Sequence, residues 1–331
     1  DDAFRAADLF SVTPAGTFEH GSSTLQLRRD PDDWARFHDV RARLLEARAQ
    51  RPQPARDDKV VAAWNGLAVA GLAETGALLA RPDLVRAATE AAELLTEVHL
   101  VGGRLRRVSR DGRVGTPAGV LEDYADLAEG LLALYAVTGK ARWVEVAGQL
   151  LDVVLDHFPD GSGGFFDVAD DERDPALAAM RRPQDPTDNA TPSGQAAAAG
   201  ALLSYAAYTG ADRHRAAAEE ALSVYAGLAG GHARFAGWGL AVAEAALDGP
   251  REVAVVGPAQ DLATRELHRV ALRGTAPGAV VALGDPADGD GGVPLLAHRP
   301  LVAGRPAAYV CRGFACQAPT TDPQQLARAL R

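Results

Sequence analysis

Apolar residues recur at three- and four-residue intervals over most of the first 250 positions, a spacing that predicts helix after helix. After an irregular opening, a first helix is expected from Asp30 to Ala49. Pro31 sits in its first turn, and Trp34, Phe37, Val40 and Leu44 form one stripe. Arg51-Pro52-Gln53-Pro54 breaks the pattern. A second helix, Asp58 to Leu79, is almost wholly apolar, and Pro82 opens a third that runs to Leu100. A short strand-like pair around Leu105 to Val108 is turned by Asp111-Gly112. Further helices are expected over Leu121–Val137, Ala141–His157, Thr191–Tyr208, Arg213–Leu228 and Phe235–Leu247, with a Gly, Asp and Pro-rich excursion from Pro159 to Asp188.

Beyond Gly249-Pro250 the pattern becomes strand (Arg251–Val256), helix (Asp261–Leu272) and strand (Ala279–Leu283). A polar loop from Asp285 to Gly292, a strand near Ala308–Val310 and a helix after Asp322-Pro323 complete the chain.

The helices pair, and the pairs repeat. The more apolar partner ends each time in Thr-Gly: Thr75-Gly76, Thr138-Gly139 and Thr209-Gly210. Each is preceded or opened by an acid, and these acids, Asp58, Asp123 and Asp188, are equally spaced. Repeats of roughly 65 to 70 residues exceed the usual 34 to 47-residue solenoid units. Apolar inner helices, amphipathic outer ones and long loops at one end therefore point to a closed α/α toroid. The fold class expected is mainly α, an (α/α)6-toroid type of repeated hairpins over residues 1–250, with a small α/β appendage, 251–331, packed on it. Six hairpins need twelve helices and the pattern supplies eight, so the toroid in this chain is incomplete. The first residue is Asp1 and the sole methionine is Met180, which predicts a piece of a longer polypeptide.

Composition narrows the function. A formal charge of −10, from 34 basic and 44 acidic residues, argues against a nucleic-acid binder. The local cluster Arg104, Arg106, Arg107 and Arg110 reads as solvated surface. No run of eighteen uncharged apolar residues predicts a membrane span. Two cysteines exclude a disulfide-framed secreted scaffold, and a cytoplasmic location is expected. Cys311 and Cys316, spaced C-x4-C, read as a structural pair or two buried thiols rather than a redox or zinc motif. No phosphate-binding, dinucleotide or metal-hydrolase motif occurs, so no cofactor and no metal are expected. Asp160 to Asp167 lacks calcium-loop spacing and reads as a glycine hairpin turn.

The loops before the inner helices concentrate the candidate chemistry. Acids there have an ordinary reading as helix caps. Trp64 and Asn65, inside an apolar helix, are harder to explain by packing. An aromatic platform beside carboxylates, amides and arginine suits a sugar, whose apolar face stacks while its hydroxyls take the polar groups. Glycoside cleavage would need a carboxylate pair, drawn from Asp58, Glu122, Asp123 and Asp188. Epimerisation would call on histidine, with His20 or His232 available.

Phe18-Glu19-His20-Gly21, Asp57-Asp58-Lys59 with Trp64-Asn65-Gly66, Leu121-Glu122-Asp123-Tyr124-Ala125 and Asp188 through Gly194 occur in this order, followed by Ala308-Tyr309-Val310-Cys311 and Cys316-Gln317-Ala318-Pro319. Together they resemble the thioredoxin-domain-containing proteins related to spermatogenesis-associated protein. The resemblance covers nearly the whole chain. It implies an (α/α)6 toroid of the six-hairpin glycosidase type, preceded by a thioredoxin-like domain and first toroid helices that this chain does not contain.

The leading expectation is a carbohydrate-active domain, glycoside hydrolase-like or N-acylglucosamine epimerase-like, with a small carbohydrate ligand. Asp58, Asp123 and Asp188 would supply acid and base chemistry. Trp64 and Tyr124 would stack on or bind the sugar, with Asn65, Glu122, Arg182, Asn189, Ser193 and His20 as further contacts. The competing expectation is a non-catalytic toroid that binds substrates for the thioredoxin-like domain.

Overall fold

The computed structural model describes residues 2–172, 181–288 and 292–331. Parts of the expected excursion (173–180, with Met180) and of the polar loop (289–291) lie outside the described residues. The chain divides into two compact units, Asp1–Asp58 and Lys59–Arg331.

The first unit holds helices α1 (Asp2–Leu9) and α2 (Trp34–Ala49). The opening is therefore helical where an irregular segment was expected. Phe10, Phe37 and Val40 form its small core. Helix α2 begins later than Asp30 because Asp33 is its cap, accepting from the Arg36 N–H at 3.0 Å.

The second unit alternates inner and outer helices: α3 (Ala62–Leu78), α4 (Pro82–Leu94), α5 (Leu121–Thr138), α6 (Arg142–His157), α7 (Gly194–Thr209), α8 (Asp212–His232) and α9 (Gly237–Asp248). Inner helices α3, α5, α7 and α9 pack on one another in sequence, and α4, α6 and α8 back them from outside. This is the hairpin arrangement of an incomplete α/α toroid, mainly helical as the periodicity predicts. Alanine and glycine make it possible. A β-carbon on Gly66 would lie 2.4 Å from the Asp126 carbonyl oxygen, and one on Gly130 would lie 2.4 Å from the Gly66 carbonyl oxygen. Helices α3 and α5 thus meet backbone to backbone. Gly139 and Gly210 end α5 and α7 in left-handed conformation, which accounts for two of the Thr-Gly endings, whereas Gly76 lies inside α3, which runs on to Leu78, and is small because Val85 of α4 packs against it.

Around the strands that precede α3 and α5, two further expectations change. Val60-Val61 is strand β1 rather than the start of α3. It pairs with β4 (Val108–Arg110), because β-branched residues beside a free ladder edge gain more by pairing than by helix. The single hairpin expected near residues 105–108 is two: β2 (Leu100–Val101) with β3 (Arg104–Leu105), and β4 with β5 (Arg113–Val114). Gly102-Gly103 supplies a second tight turn, both residues at positive φ.

The C-terminal strands β6 (Glu252–Val256), β7 (Val280–Gly284), β8 (Ala307–Arg312) and β9 (Ala315–Cys316) form one sheet in the order β7-β6-β8-β9. Strands β6 and β7 are parallel, joined through α10 (Leu262–Ala271), while β8 runs antiparallel to β6. Helix α11 (Pro323–Ala329) ends the chain's regular structure. The sheet packs against the C-terminal ends of the inner helices: the Tyr208 hydroxyl meets the Val281 backbone at 3.3 Å, and His268 Nε2 meets the Ala136 carbonyl at 2.7 Å. No described helix is long and apolar enough to cross a membrane.

Candidate functional site

The N-terminal ends of inner helices lie side by side, and each leaves backbone N–H groups without helical partners. At α3 and α5 those groups are taken by two residues. The Arg107 carbonyl accepts from Ala62 N at 2.9 Å. Asp123 Oδ1 accepts from Ala63 N at 3.1 Å, and Asp123 Oδ2 accepts from Val120 N at 3.0 Å. The same Oδ2 takes Arg107 Nη1 at 2.9 Å, while Nη2 of that guanidinium reaches Glu122 Oε1 at 2.7 Å. Asp123 is fully buried, and burial pushes its carboxyl upward against the opposing pull of Arg107 and the two backbone N–H groups. Asp123 thus fastens two inner helices and an arginine at one point.

Asp188 repeats the device one junction further on. It lies on the approach to α7, where its Oδ1 accepts from Ser193 N at 2.9 Å and its Oδ2 from Trp238 N, in the first turn of α9, at 2.8 Å. Ser193 caps α7 by accepting from Ala196 N at 3.1 Å. Its hydroxyl meets the Tyr225 hydroxyl at 3.0 Å, and Tyr225 in turn donates to the Pro186 carbonyl.

Between the α5 and α7 ends lies a cavity of about 390 Å³ lined by Arg107, Glu122, Asp167, Asp185, Asn189 and Ser193 among others. Three of the expected residues, Glu122, Asn189 and Ser193, are therefore brought together. Asp167 joins them because its backbone is threaded between two elements: its carbonyl accepts from Leu121 N and its N–H donates to Pro183 O. Burial, opposed by an Asp185 backbone hydrogen bond and aided by the charges of Asp185 and Glu122, pushes the Asp167 carboxyl up to about 6. The cavity so combines one carboxylate held by arginine with one carboxyl biased toward its proton.

The other expected residues lie outside this lining. Tyr124 is only 1% exposed, stacks edge-on against Phe158, and its hydroxyl accepts from Leu105 N at 2.9 Å. Asn65 donates to the Val61 carbonyl one turn back at 2.8 Å. Arg182 donates to the carbonyls of Val168 and His157, both at 2.8 Å, with its guanidinium over the Phe166 ring. Trp64 is 57% exposed on α3. His20 and Asp58 belong to the first unit; His20 is exposed in a short turn at φ 56°, and Asp58 is half-buried. His232 is exposed at the end of α8. Asp160 closes the expected glycine turn, accepting from Ser162 N at 2.7 Å and Gly164 N at 2.9 Å.

Sequence reasoning missed four residues. Arg107 was read as solvated surface, yet it is half-buried between two carboxylates, as Arg104 is held by Asp171. Asp167 and Asp185 sit in an irregular loop with no periodicity to mark them. Asp126 carried a signal: it is an acid in an apolar inner helix, one turn after Glu122. It is 1% exposed, neither carboxyl oxygen has a hydrogen-bond partner among the described residues, and burial, with Glu122, Asp123 and Glu129 nearby, pushes it up to about 8. Glu129, on the same helix, is pushed up to about 7 by burial and by Glu74.

No family model matches the chain. Over 309 residues it is 31% identical to human spermatogenesis-associated protein 20, a match covering 87% of this chain and 38% of that protein; the mouse protein gives the same identity and coverage. It is 26% identical over 322 residues to uncharacterized protein B0495.5 of Caenorhabditis elegans, covering 93% of this chain and 42% of that protein. The chain is homologous to spermatogenesis-associated protein 20 and spans about two-fifths of the length of these relatives. Among solved structures, it is similar to cellobiose 2-epimerase from Bacillus thermoamylovorans B4167 (TM-score 0.43, 12% identity, 52% of this chain and 46% of that one). A similar match is cellobiose 2-epimerase from Spirochaeta thermophila DSM 6192 (TM-score 0.41, 17% identity, 52% and 44%).

Proposed function

We propose that the cavity at the N-terminal ends of α5 and α7 binds a small polyhydroxylated ligand and transfers protons to or from it, as a carbohydrate-active site. The observation that carries this reading is the carboxyl pair in one lining: Glu122, held by Arg107 at 2.7 Å, and Asp167, raised to about 6 by burial. Acid and base catalysis requires one carboxyl that holds its proton near neutral pH beside a second carboxyl able to accept one, and the raised Asp167 supplies the first. Asp167 would donate the proton and Glu122 accept one, with Asp185, Asn189 and Ser193 meeting hydroxyls. Asp123 and Asp188 act by holding the helix ends that form the walls. Sugar metabolism in the cytoplasm is part of this proposal.

Isothermal titration with a panel of mono- and disaccharides tests it, with Asp167→Asn and Glu122→Gln as controls. Millimolar or tighter binding that either substitution removes supports the site, and following the anomeric protons by NMR then distinguishes hydrolysis from epimerisation. If folded protein gives no heat with any sugar, the proposal fails.

A second reading, a non-catalytic binding toroid serving a thioredoxin-like domain, draws on one observation. Arg107 pairs with both Glu122 and Asp123, a structural use for two of the acids at the cavity. Binding of unfolded polypeptide without sugar binding would favour it.

A further inference from the structure

Far from that cavity, the hairpin of β8 and β9 carries a second concentration of reactive groups. Cys311 and Cys316 face each other across the hairpin and are joined by a disulfide. Their surroundings are unequal: Cys311 is 1% exposed, and Cys316 lies on an exposed two-residue strand. Arg299 reaches both sulfurs, its Nη2 lying 3.2 Å from Cys316 Sγ and 3.5 Å from Cys311 Sγ. A bridge serving only as a staple has no use for a guanidinium at its sulfurs, because a disulfide sulfur is a weak, uncharged acceptor. A thiolate beside the same guanidinium is stabilised strongly.

The groups around Arg299 keep it in place. Its Nη1 donates to the Ala297 carbonyl at 2.9 Å. Buried Glu252 on β6 faces it and holds the hairpin tip, accepting from Phe314 N at 2.7 Å. Arg215 on α8 lies 3.8 Å from Glu252, and Tyr309 also faces Arg299. Arg312, the next residue on β8, is engaged by Asp248. The cationic arm that touches sulfur is therefore Arg299.

We propose that Cys311–Cys316 is a thiol–disulfide exchange site whose co-reactant is an external dithiol. One thiolate of the dithiol attacks exposed Cys316 Sγ. The Cys311–Cys316 bond breaks, and its electron pair leaves on Cys311 as a thiolate paired with Arg299. The second sulfur of the dithiol, giving its proton to solvent, attacks its own partner in the mixed disulfide and releases Cys316 as thiolate. The dithiol is oxidised to a disulfide by two electrons and the protein disulfide is reduced to two thiols. Run backward, the same steps oxidise the two hairpin thiols to the Cys311–Cys316 disulfide and reduce the co-reactant's disulfide to a dithiol.

The test uses the intact chain. Native protein is treated with dithiothreitol at pH 7 while circular dichroism follows the fold and mass spectrometry follows the two cysteines. The expected result is reduction within minutes with the fold retained. The reduced protein is then alkylated with iodoacetamide across pH. An apparent thiol pKa at least one unit below the ordinary value of about 8.5 is expected, rising toward it in Arg299→Gln and staying low in Arg299→Lys. Reduction only upon unfolding would overturn the proposal without any variant. An alkylation profile that Arg299→Gln leaves unchanged would overturn the role of the arginine and, with it, the site.

Discussion

The junction of α3 with α5 and the junction of α7 with α9 are fastened by acids at equivalent positions of the repeat, and they are built to different strengths. At the first, Asp123 is fully buried, accepts from two backbone N–H groups and from Arg107, and sits above a glycine crossing where the two helix backbones touch. At the second, Asp188 is half-buried and accepts from two backbone N–H groups. Both satisfy orphan donors at adjacent helix ends. The difference lies in burial. A carboxylate that gives up water needs a cation to balance it, and a half-solvated one does not. The repeat thus supplies a fastening at each junction, and local burial decides how much each one holds.

The largest effect should come from breaking the first junction. Asp123→Ala strips Arg107 of its buried partner and frees an N–H at each helix end, for a loss of about 3–5 kcal/mol in urea unfolding. Gly66→Ala attacks the same junction through the backbone. Its new methyl meets the Asp126 carbonyl, and a loss of about 1–3 kcal/mol is expected. Asp188→Ala should cost only about 1 kcal/mol, the worth of a helix cap. Equal losses for Asp123→Ala and Asp188→Ala in the same assay would sink the contrast.

Titration sharpens it further. Asp126, one turn below Asp123, is raised to about 8 from 3.8. Below about pH 4 its carboxyl is protonated both folded and unfolded. Between about 4 and 8 the folded chain keeps a proton that the unfolded chain has released, so stability falls as pH rises through that window. Asp126→Asn should flatten this slope, read as melting temperature against pH, whereas Asp188→Asn should leave it in place. A slope that survives Asp126→Asn would assign it to Glu129 or Asp167 instead.

Much of this is legible in the sequence. The period of the apolar positions located the paired helices, and two of the three Thr-Gly pairs marked where α5 and α7 stop, because a left-handed cap needs glycine, while at Gly76 the helix runs on. The acids Asp123 and Asp188 stood out by position, and the cavity formed where the helix N-termini gather. The boundary at Val60 was not legible, since a two-residue strand exists only when its partner arrives from residues 108 and 109.

What the sequence by itself determined about this protein is therefore most of its local order: which segments from α2 onward coil, which face of each is apolar, and where α5 and α7 end. Those follow from periodicity and from the stereochemistry of single residues. Only the tertiary structure decided what the chemistry-bearing side chains do. It buried Tyr124, turned Asn65 and Arg182 onto nearby carbonyls, drew Arg107 from the surface to two acids, and brought Asp167 beside Glu122. Proton affinity and partnership depend on burial and on neighbours distant in sequence, and neither exists until the helices have packed.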